Sequence, residues 1–144
     1  MIVGFIGIGT LGWPMAANVF RAGHDLVVYD SAAGRAEHFN AEVGGRAAVT
    51  LADLAGAEFI VTLLPNGDVV RNVYMAGGLA ALLAPGTVLI DMSSADPSGT
   101  AMLASELAAM DLVLIDGHDA AASQRAQPLL SVLGKQLFEI GTRQ

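Results

Sequence analysis

Three glycines, Gly7, Gly9 and Gly12, stand at the spacing of a backbone turn that can receive an anion, and an acid, Asp30, follows eighteen residues after the last of them. Glycine at the first position permits a tight turn. At the second it lets the main chain approach a pyrophosphate with no Cβ between them, and at the third it lets a following helix pack closely on the preceding strand. The amides of such a turn and helix start, here Gly7, Ile8, Gly9, Thr10, Leu11 and Gly12, form an anion site reinforced by the helix dipole. A carboxylate at the position of Asp30 takes the two hydroxyls of an adenosine ribose and repels a 2′-phosphate, so the pattern predicts NAD in preference to NADP.

That chemistry depends on the elements that carry it, because an isolated GxGxxG is weak evidence. Ile2, Val3, Phe5 and Ile6 form a short apolar run that reads as a strand buried on both faces. Pro14 falls in the first turn of the predicted helix, where its missing donor has no intrahelical partner. Met15, Val19 and Ala22 share one face at helical spacing, Gly23 ends the helix, and Leu26 to Tyr29 reads as a second strand leading to Asp30.

The same alternation continues downstream. A helix is predicted over 33–43, a short edge strand over 46–49, and a brief helix through Leu54 opened by a Thr50/Asp53 capping box. Glu58 to Leu64 reads as a strand stopped by Pro65, a helix starts near Asp68, and Thr87 to Met92 is the next strand. Asp96-Pro97 marks the start of a helix over 97–109, followed by strand 111–115, helix 118–133 and strand 136–140. This rhythm predicts an α/β fold of Rossmann type: a doubly wound, mostly parallel sheet with helices on both faces and ligand at the carboxyl ends of the strands. No linker or repeat divides the 144 residues, so they read as a single dinucleotide-binding domain.

Composition excludes several alternatives. The chain has no cysteine, which removes disulfides and thiolate metal sites. Its three histidines, His24, His38 and His118, are scattered without ligand spacing, so no metal site is expected. A formal charge of −7 argues against a nucleic-acid partner. The N-terminal stretch lacks the basic region of a signal peptide. Val73 to Ile90 carries no charge, but Gly77, Gly78 and Pro85-Gly86 divide it, so a membrane partner is not expected and a cytoplasmic location is. A 53% hydrophobic content predicts surface covered by another domain or subunit, a homo-oligomer among the options.

Four segments resemble the β-hydroxyacid dehydrogenase family, which includes 3-hydroxyisobutyrate dehydrogenase, tartronate semialdehyde reductase and threonate dehydrogenase types. They are GFIGIGTLGWPMAANVFRAGHDLVVYD at 4–30, TLLPNGDVV at 62–70, DMSSADPSGT at 91–100 and LLSVLGKQLFEIG at 129–141. The resemblance implies that Gly7 through Gly12 hold the pyrophosphate and Asp30 the ribose, that Leu64 and Pro65 lie against the cofactor, and that Ser94 stands near the nicotinamide end. Pro65 equally serves to stop a strand, and Ser93 and Ser94 equally serve to cap the helix at 97. Val69 stands where some members have a cofactor-contacting Asn.

The departures concern the substrate. The family's strand at this point runs into an APVSGG-like segment that binds the substrate carboxylate, and a GTLTIMVGG-like strand follows. Here Leu112 to Asp116 leads directly into GHDAAASQRAQPLL, so an internal stretch is expected to be missing. The family's catalytic lysine lies on a later helix, beyond the nucleotide domain. The one lysine here, Lys135, matches a structural Gly-Lys instead, and the helical substrate and dimerisation domain is expected to be absent. No catalytic residue is therefore assigned. Asp116 and Asp119 beside His118 read as a helix start, and Ser123 and Ser131 lack a nucleophile elbow. Three readings stay open. The chain is the NAD-binding domain of an enzyme that oxidises a small 3-hydroxy acid at its CH–OH group, or a non-enzymatic NAD-binding module, or a reduced enzyme completed by another subunit.

Overall fold

The computed structural model describes residues 1–93, 97–116 and 126–133. Six parallel strands form one sheet in the order β3-β2-β1-β4-β5-β6. In chain order these are β1 (Ile2–Ile6), β2 (Asp25–Tyr29), β3 (Arg46–Ala47), β4 (Phe59–Thr62), β5 (Val88–Asp91) and β6 (Val113–Asp116). The helices are α1 (Gly12–Arg21), α2 (Arg35–Glu42), α3 (Gly67–Tyr74), α4 (Leu79–Leu82) and α5 (Pro97–Ala108). A 3-10 turn at Leu51–Leu54 precedes β4, and residues 127–133 are also helical.

Alternation along the buried strands divides the core. Val3 and Phe5 of β1, Phe59 and Val61 of β4 and Ile90 of β5 pack with Met15, Ala16 and Val19 of α1, Phe39 of α2, and Leu129, Leu130 and Leu133. Ile6, Ile60 and Leu89 project to the other face and meet Val70 and Tyr74 of α3, Leu79 of α4, and Leu103 and Leu107 of α5. Both faces of each central strand are thus covered, as parallel pairing requires. Emptying one of these fully buried leucine sites costs on the order of 2–5 kcal/mol.

The differences from the sequence reading are the added short helix α4 and the ends of other elements. Ala22 is exposed and serves as the C-cap of α1, its amide bonded to the Asn18 carbonyl, while Ala16 takes the buried place on the helix face. The edge strand β3 keeps only two residues, and α3 begins at Gly67 under an Asn66 cap. The uncharged stretch Val73 to Ile90 is shared among the end of α3, the short helix α4 and β5. No helix among the described residues is long and apolar enough to cross a membrane. The helix start at 118 and the strand predicted over 136–140 lie outside the described residues.

Candidate functional site

The strand order reverses at β1, whose neighbours β2 and β4 lead to opposite halves of the sheet, and a crevice opens at their carboxyl ends. A cavity of about 540 Å³ occupies this place. Its walls come from the turn after β1, from Tyr29, Asp30 and Ser31 after β2, from Leu63, Leu64 and Pro65 after β4, and from Arg35, Val69 and Val73. Gly7, Gly9, Thr10, Leu11, Gly12, Asp30, Leu64 and Pro65, all predicted from the sequence, line it together.

The three glycines serve different physical ends. Gly7 has φ +98° and its α-carbon abuts the Leu63 carbonyl, where a Cβ would lie 2.2 Å from the oxygen. Gly12 is packed against the Gly7 carbonyl, with only 1.8 Å left for a Cβ. Both positions are closed by protein. Gly9 differs: a Cβ there would meet nothing nearer than the Arg35 guanidinium at 3.8 Å, so its backbone faces the open cavity. The start of α1 has no side-chain cap, because Leu11 at the cap position carries no oxygen, and the described turn is left with its dipole aimed at the cavity. This uncapped helix start beside an unfilled glycine cradle fits the pyrophosphate of a dinucleotide.

Ile8 is the predicted residue that does not line the cavity. It is buried in the core, and its amide donates to Asp30 Oδ2 at 2.9 Å. Asp30 Oδ1 accepts from the Ala32 amide at 2.8 Å, and the Arg35 guanidinium lies 3.4 Å from both carboxylate oxygens. The two amides orient the carboxylate and still leave it lone pairs for a ribose diol. Arg35 has no counterpart in the sequence reading; it enters because α2 starts one turn beyond the end of β2.

A second set of residues missed by sequence reasoning fixes the β4 side of the crevice. Thr62 and Asp91 are register partners across β4 and β5, both buried, and the Thr62 hydroxyl donates to Asp91 Oδ1 at 3.0 Å. The same oxygen accepts the Ser93 amide at 3.0 Å, and the Ser93 hydroxyl accepts the Leu64 amide at 2.8 Å. This chain of bonds sets the backbone of Leu64, and with it Pro65. An acid ending an otherwise apolar strand and followed by two serines was the available signal. Tyr74 stands beside this network with its hydroxyl close to Thr62 but in no aligned hydrogen bond among the described residues, and burial pushes its phenol far above the usual range. Ser94, predicted at the nicotinamide end, lies outside the described residues, as do Lys135, His118 and Ser123. The two described histidines are apart: His38 lies tilted against Trp13 with ring centroids 5.3 Å apart. The His24 imidazole is held below its usual value by burial and then by the nearby N-terminus.

Residues 2–118 match the family model described as the NAD binding domain of 6-phosphogluconate dehydrogenase. The chain belongs to this family. It is 36% identical over 160 residues to 3-sulfolactaldehyde reductase of Escherichia coli (strain K12), a match that uses 96% of this chain and 53% of that protein. It is 39% identical over 116 residues to mitochondrial 3-hydroxyisobutyrate dehydrogenase of Rattus norvegicus, covering 79% of this chain and 34% of that one. Among solved structures, Mycobacterium tuberculosis 3-hydroxyisobutyrate dehydrogenase with L-serine superposes with a TM-score of 0.82 at 26% identity, over 92% of this chain and 51% of its own. The relatives bear out the resemblance to β-hydroxyacid dehydrogenases, and the fold is the Rossmann type expected. The chain spans about half the length of the bacterial relative and of the solved structure, and about a third of the rat protein. The aligned stretch of 160 residues also exceeds all 144 residues of this chain, so the bacterial relative carries residues within the matched region that are missing here.

Proposed function

We propose that this chain binds NAD in the crevice between β1 and β4 and serves as the cofactor half of a dehydrogenase acting on a small 3-hydroxy acid. The observation that carries the reading is the pairing, in one cavity, of an open Gly9 cradle at an uncapped helix start with an amide-oriented Asp30 carboxylate. In this reading the amides of Thr10, Leu11 and Gly12 hold the pyrophosphate, with Gly7 and Gly9 giving the turn its shape. The Ile8 amide acts indirectly, by aiming Asp30 at the ribose. Leu64 and Pro65 form the apolar wall against which the cofactor rests, and Ser94 belongs at the nicotinamide end. Asp30 favours NAD over NADP because it can accept hydrogen bonds from a diol and repels a phosphate.

Bound NAD supplies the hydride chemistry, while interconverting an alcohol and a carbonyl also needs a group that exchanges a proton with the substrate oxygen. The described residues lining the cavity include no lysine or histidine, and the chain's single lysine, Lys135, lies in the segment resembling a structural turn. The residues missing relative to the bacterial relative fit the absence of the substrate-carboxylate segment expected after Asp116. The chain by itself is accordingly a binder of NAD, with substrate binding and proton transfer contributed by segments or a different subunit outside these residues; a homo-oligomer is an assembly compatible with this reading. A cytoplasmic location accompanies this reading.

Titration of the purified chain with NADH and NADPH, followed by nicotinamide fluorescence, tests it together with turnover assays on 3-hydroxyisobutyrate, glycerate and threonate. The expected result is saturable binding favouring NADH, with no turnover. A preference for NADPH would overturn the role of Asp30, and turnover by the chain alone would overturn its dependence on outside groups.

A further inference from the structure

We infer that Ser93 is a positioning residue for the pyrophosphate: by holding the Leu64 amide it fixes the Leu63–Leu64 peptide against Gly7, and so sets the shape of the glycine turn from the far side of β4. The inference rests on the proposed cofactor site and extends what builds that site across the sheet to the end of β5.

The ladder between β4 and β5 shows why a side chain is needed here. The two strands stay in parallel register up to Thr62 and Asp91, and one step further the Met92 amide still donates to the Thr62 carbonyl at 2.7 Å. A continuing parallel ladder would next give the Leu64 amide to the Met92 carbonyl. That amide donates instead to the Ser93 hydroxyl at 2.8 Å. The backbone pairing ends at this point, yet the amide keeps a partner, without which a buried N–H is costly. Ser93 is itself fixed. It is 5% exposed, and its amide donates at 3.0 Å to Asp91 Oδ1, the oxygen that also takes the Thr62 hydroxyl.

The peptide carries this constraint onward. The Leu64 N–H and the Leu63 C=O belong to one planar unit, so fixing the direction of the first fixes that of the second. The Leu63 carbonyl oxygen leaves only 2.2 Å for a Cβ on Gly7, and the Gly7 carbonyl oxygen leaves only 1.8 Å for one on Gly12. Three backbone segments are thus in contact in succession, from the end of β4 through the glycine turn to the first residue of α1, with no side chain between them to absorb a displacement. Without the Ser93 hydroxyl the Leu64 amide turns towards another acceptor, the Leu63 carbonyl leaves its place on Gly7, and the turn that receives the pyrophosphate relaxes. Asp30 is better insulated, because the Ala32 amide holds its Oδ1 independently of the turn.

The test is to measure Kd for NADH, ADP-ribose and adenosine on the wild-type chain, Ser93→Ala and Ser93→Thr, well below the melting temperature of each. Ser93→Ala is expected to weaken NADH and ADP-ribose alike by about five- to tenfold, while adenosine, which has no pyrophosphate, changes by less than about twofold. Ser93→Thr keeps the hydroxyl and is expected to recover most of the loss. In the ligand-free chain labelled with nitrogen-15, Ser93→Ala is expected to move the amide signals of Gly7 and Gly12 and to speed hydrogen exchange at Leu64. Equal weakening of all three ligands would mean a general loosening of the fold and would overturn the inference. Unchanged affinities, or Gly7 and Gly12 signals that stay in place, would overturn it as well. Failure of the wild-type chain to bind NADH and ADP-ribose would instead bring down the cofactor site itself, a result distinct from wild-type binding that Ser93→Ala leaves unaltered.

Discussion

Gly9 and Gly12 are three residues apart in one motif, yet they stand in opposite physical situations, and a single methyl group distinguishes them. At Gly12 the methyl would meet the Gly7 carbonyl oxygen at 1.8 Å, a contact between two backbone segments that no rotamer can relieve. At Gly9 it would project into the cavity with only the tip of Arg35 in reach. Gly12→Ala is expected to destabilise the fold by about 2–3 kcal/mol, as overpacking does at a closed site. Gly9→Ala should leave the melting temperature of the free chain near wild type and raise the Kd for NADH by about tenfold or more, since the methyl occupies the space of a pyrophosphate oxygen. Thermal melts without ligand, paired with NADH titrations, separate the two. If Gly9→Ala bound NADH as wild type does, the pyrophosphate could not lie against that backbone.

At the scale of elements, the helices and strands whose apolar period is long were legible in the sequence, and the ones decided by a few tertiary contacts were not. The β1–α1–β2 unit was readable because glycine spacing, apolar run and terminal acid each constrain a different part of it. The short helix α4 was not, because its LAAL sequence between Gly78 and Leu83 has too few residues to show a period, and burial of Leu79 and Ala80 beneath α3 decides it. The same holds for the bond by which the Ser93 hydroxyl joins the end of β5 to the end of β4 through the Leu64 amide, a contact between residues 29 apart in the chain. The turn at Leu51–Leu54 was legible because its stabilisation is local. Asp53 accepts from the Val49 amide at 2.8 Å and the Thr50 amide at 3.1 Å, and these bonds, Thr50 foremost, hold its carboxyl below the ordinary 3.8. A carboxylate whose value is depressed in the folded chain contributes stability that is present above its unfolded value and is lost as pH falls through its folded one. Asp53→Asn should therefore melt at a lower temperature than wild type at neutral pH, and the gap should close as pH drops below about 3.8. A gap that stayed constant down to strongly acid pH would show that the charge is not what stabilises the turn.

For the molecule as a whole, the described cavity residues are mainly those that the proposed reading assigns to the ribose and pyrophosphate of a dinucleotide, while the bacterial relative carries residues within the matched region that are missing here. A ligand that binds only the folded chain stabilises it by RT ln(1 + [L]/Kd), which is about 2.7 kcal/mol at a hundredfold excess over Kd. For a domain of this size that corresponds to a rise in Tm of roughly 10 °C. If binding energy is concentrated at the Asp30 and Gly9 end, ADP-ribose, which keeps both phosphates and the adenosine but lacks nicotinamide, should stabilise the chain within about 1 kcal/mol of NAD at the same concentration. A small hydroxy acid added with NAD should produce no further rise, because the described cavity offers its carboxylate no cation other than Arg35, which is paired with Asp30. Differential scanning fluorimetry with ADP-ribose, NAD, and NAD plus 3-hydroxyisobutyrate reads all three. A large deficit for ADP-ribose would place the dominant contacts at the nicotinamide end, and an additional rise with the hydroxy acid would mean that the chain builds a substrate pocket from its own residues.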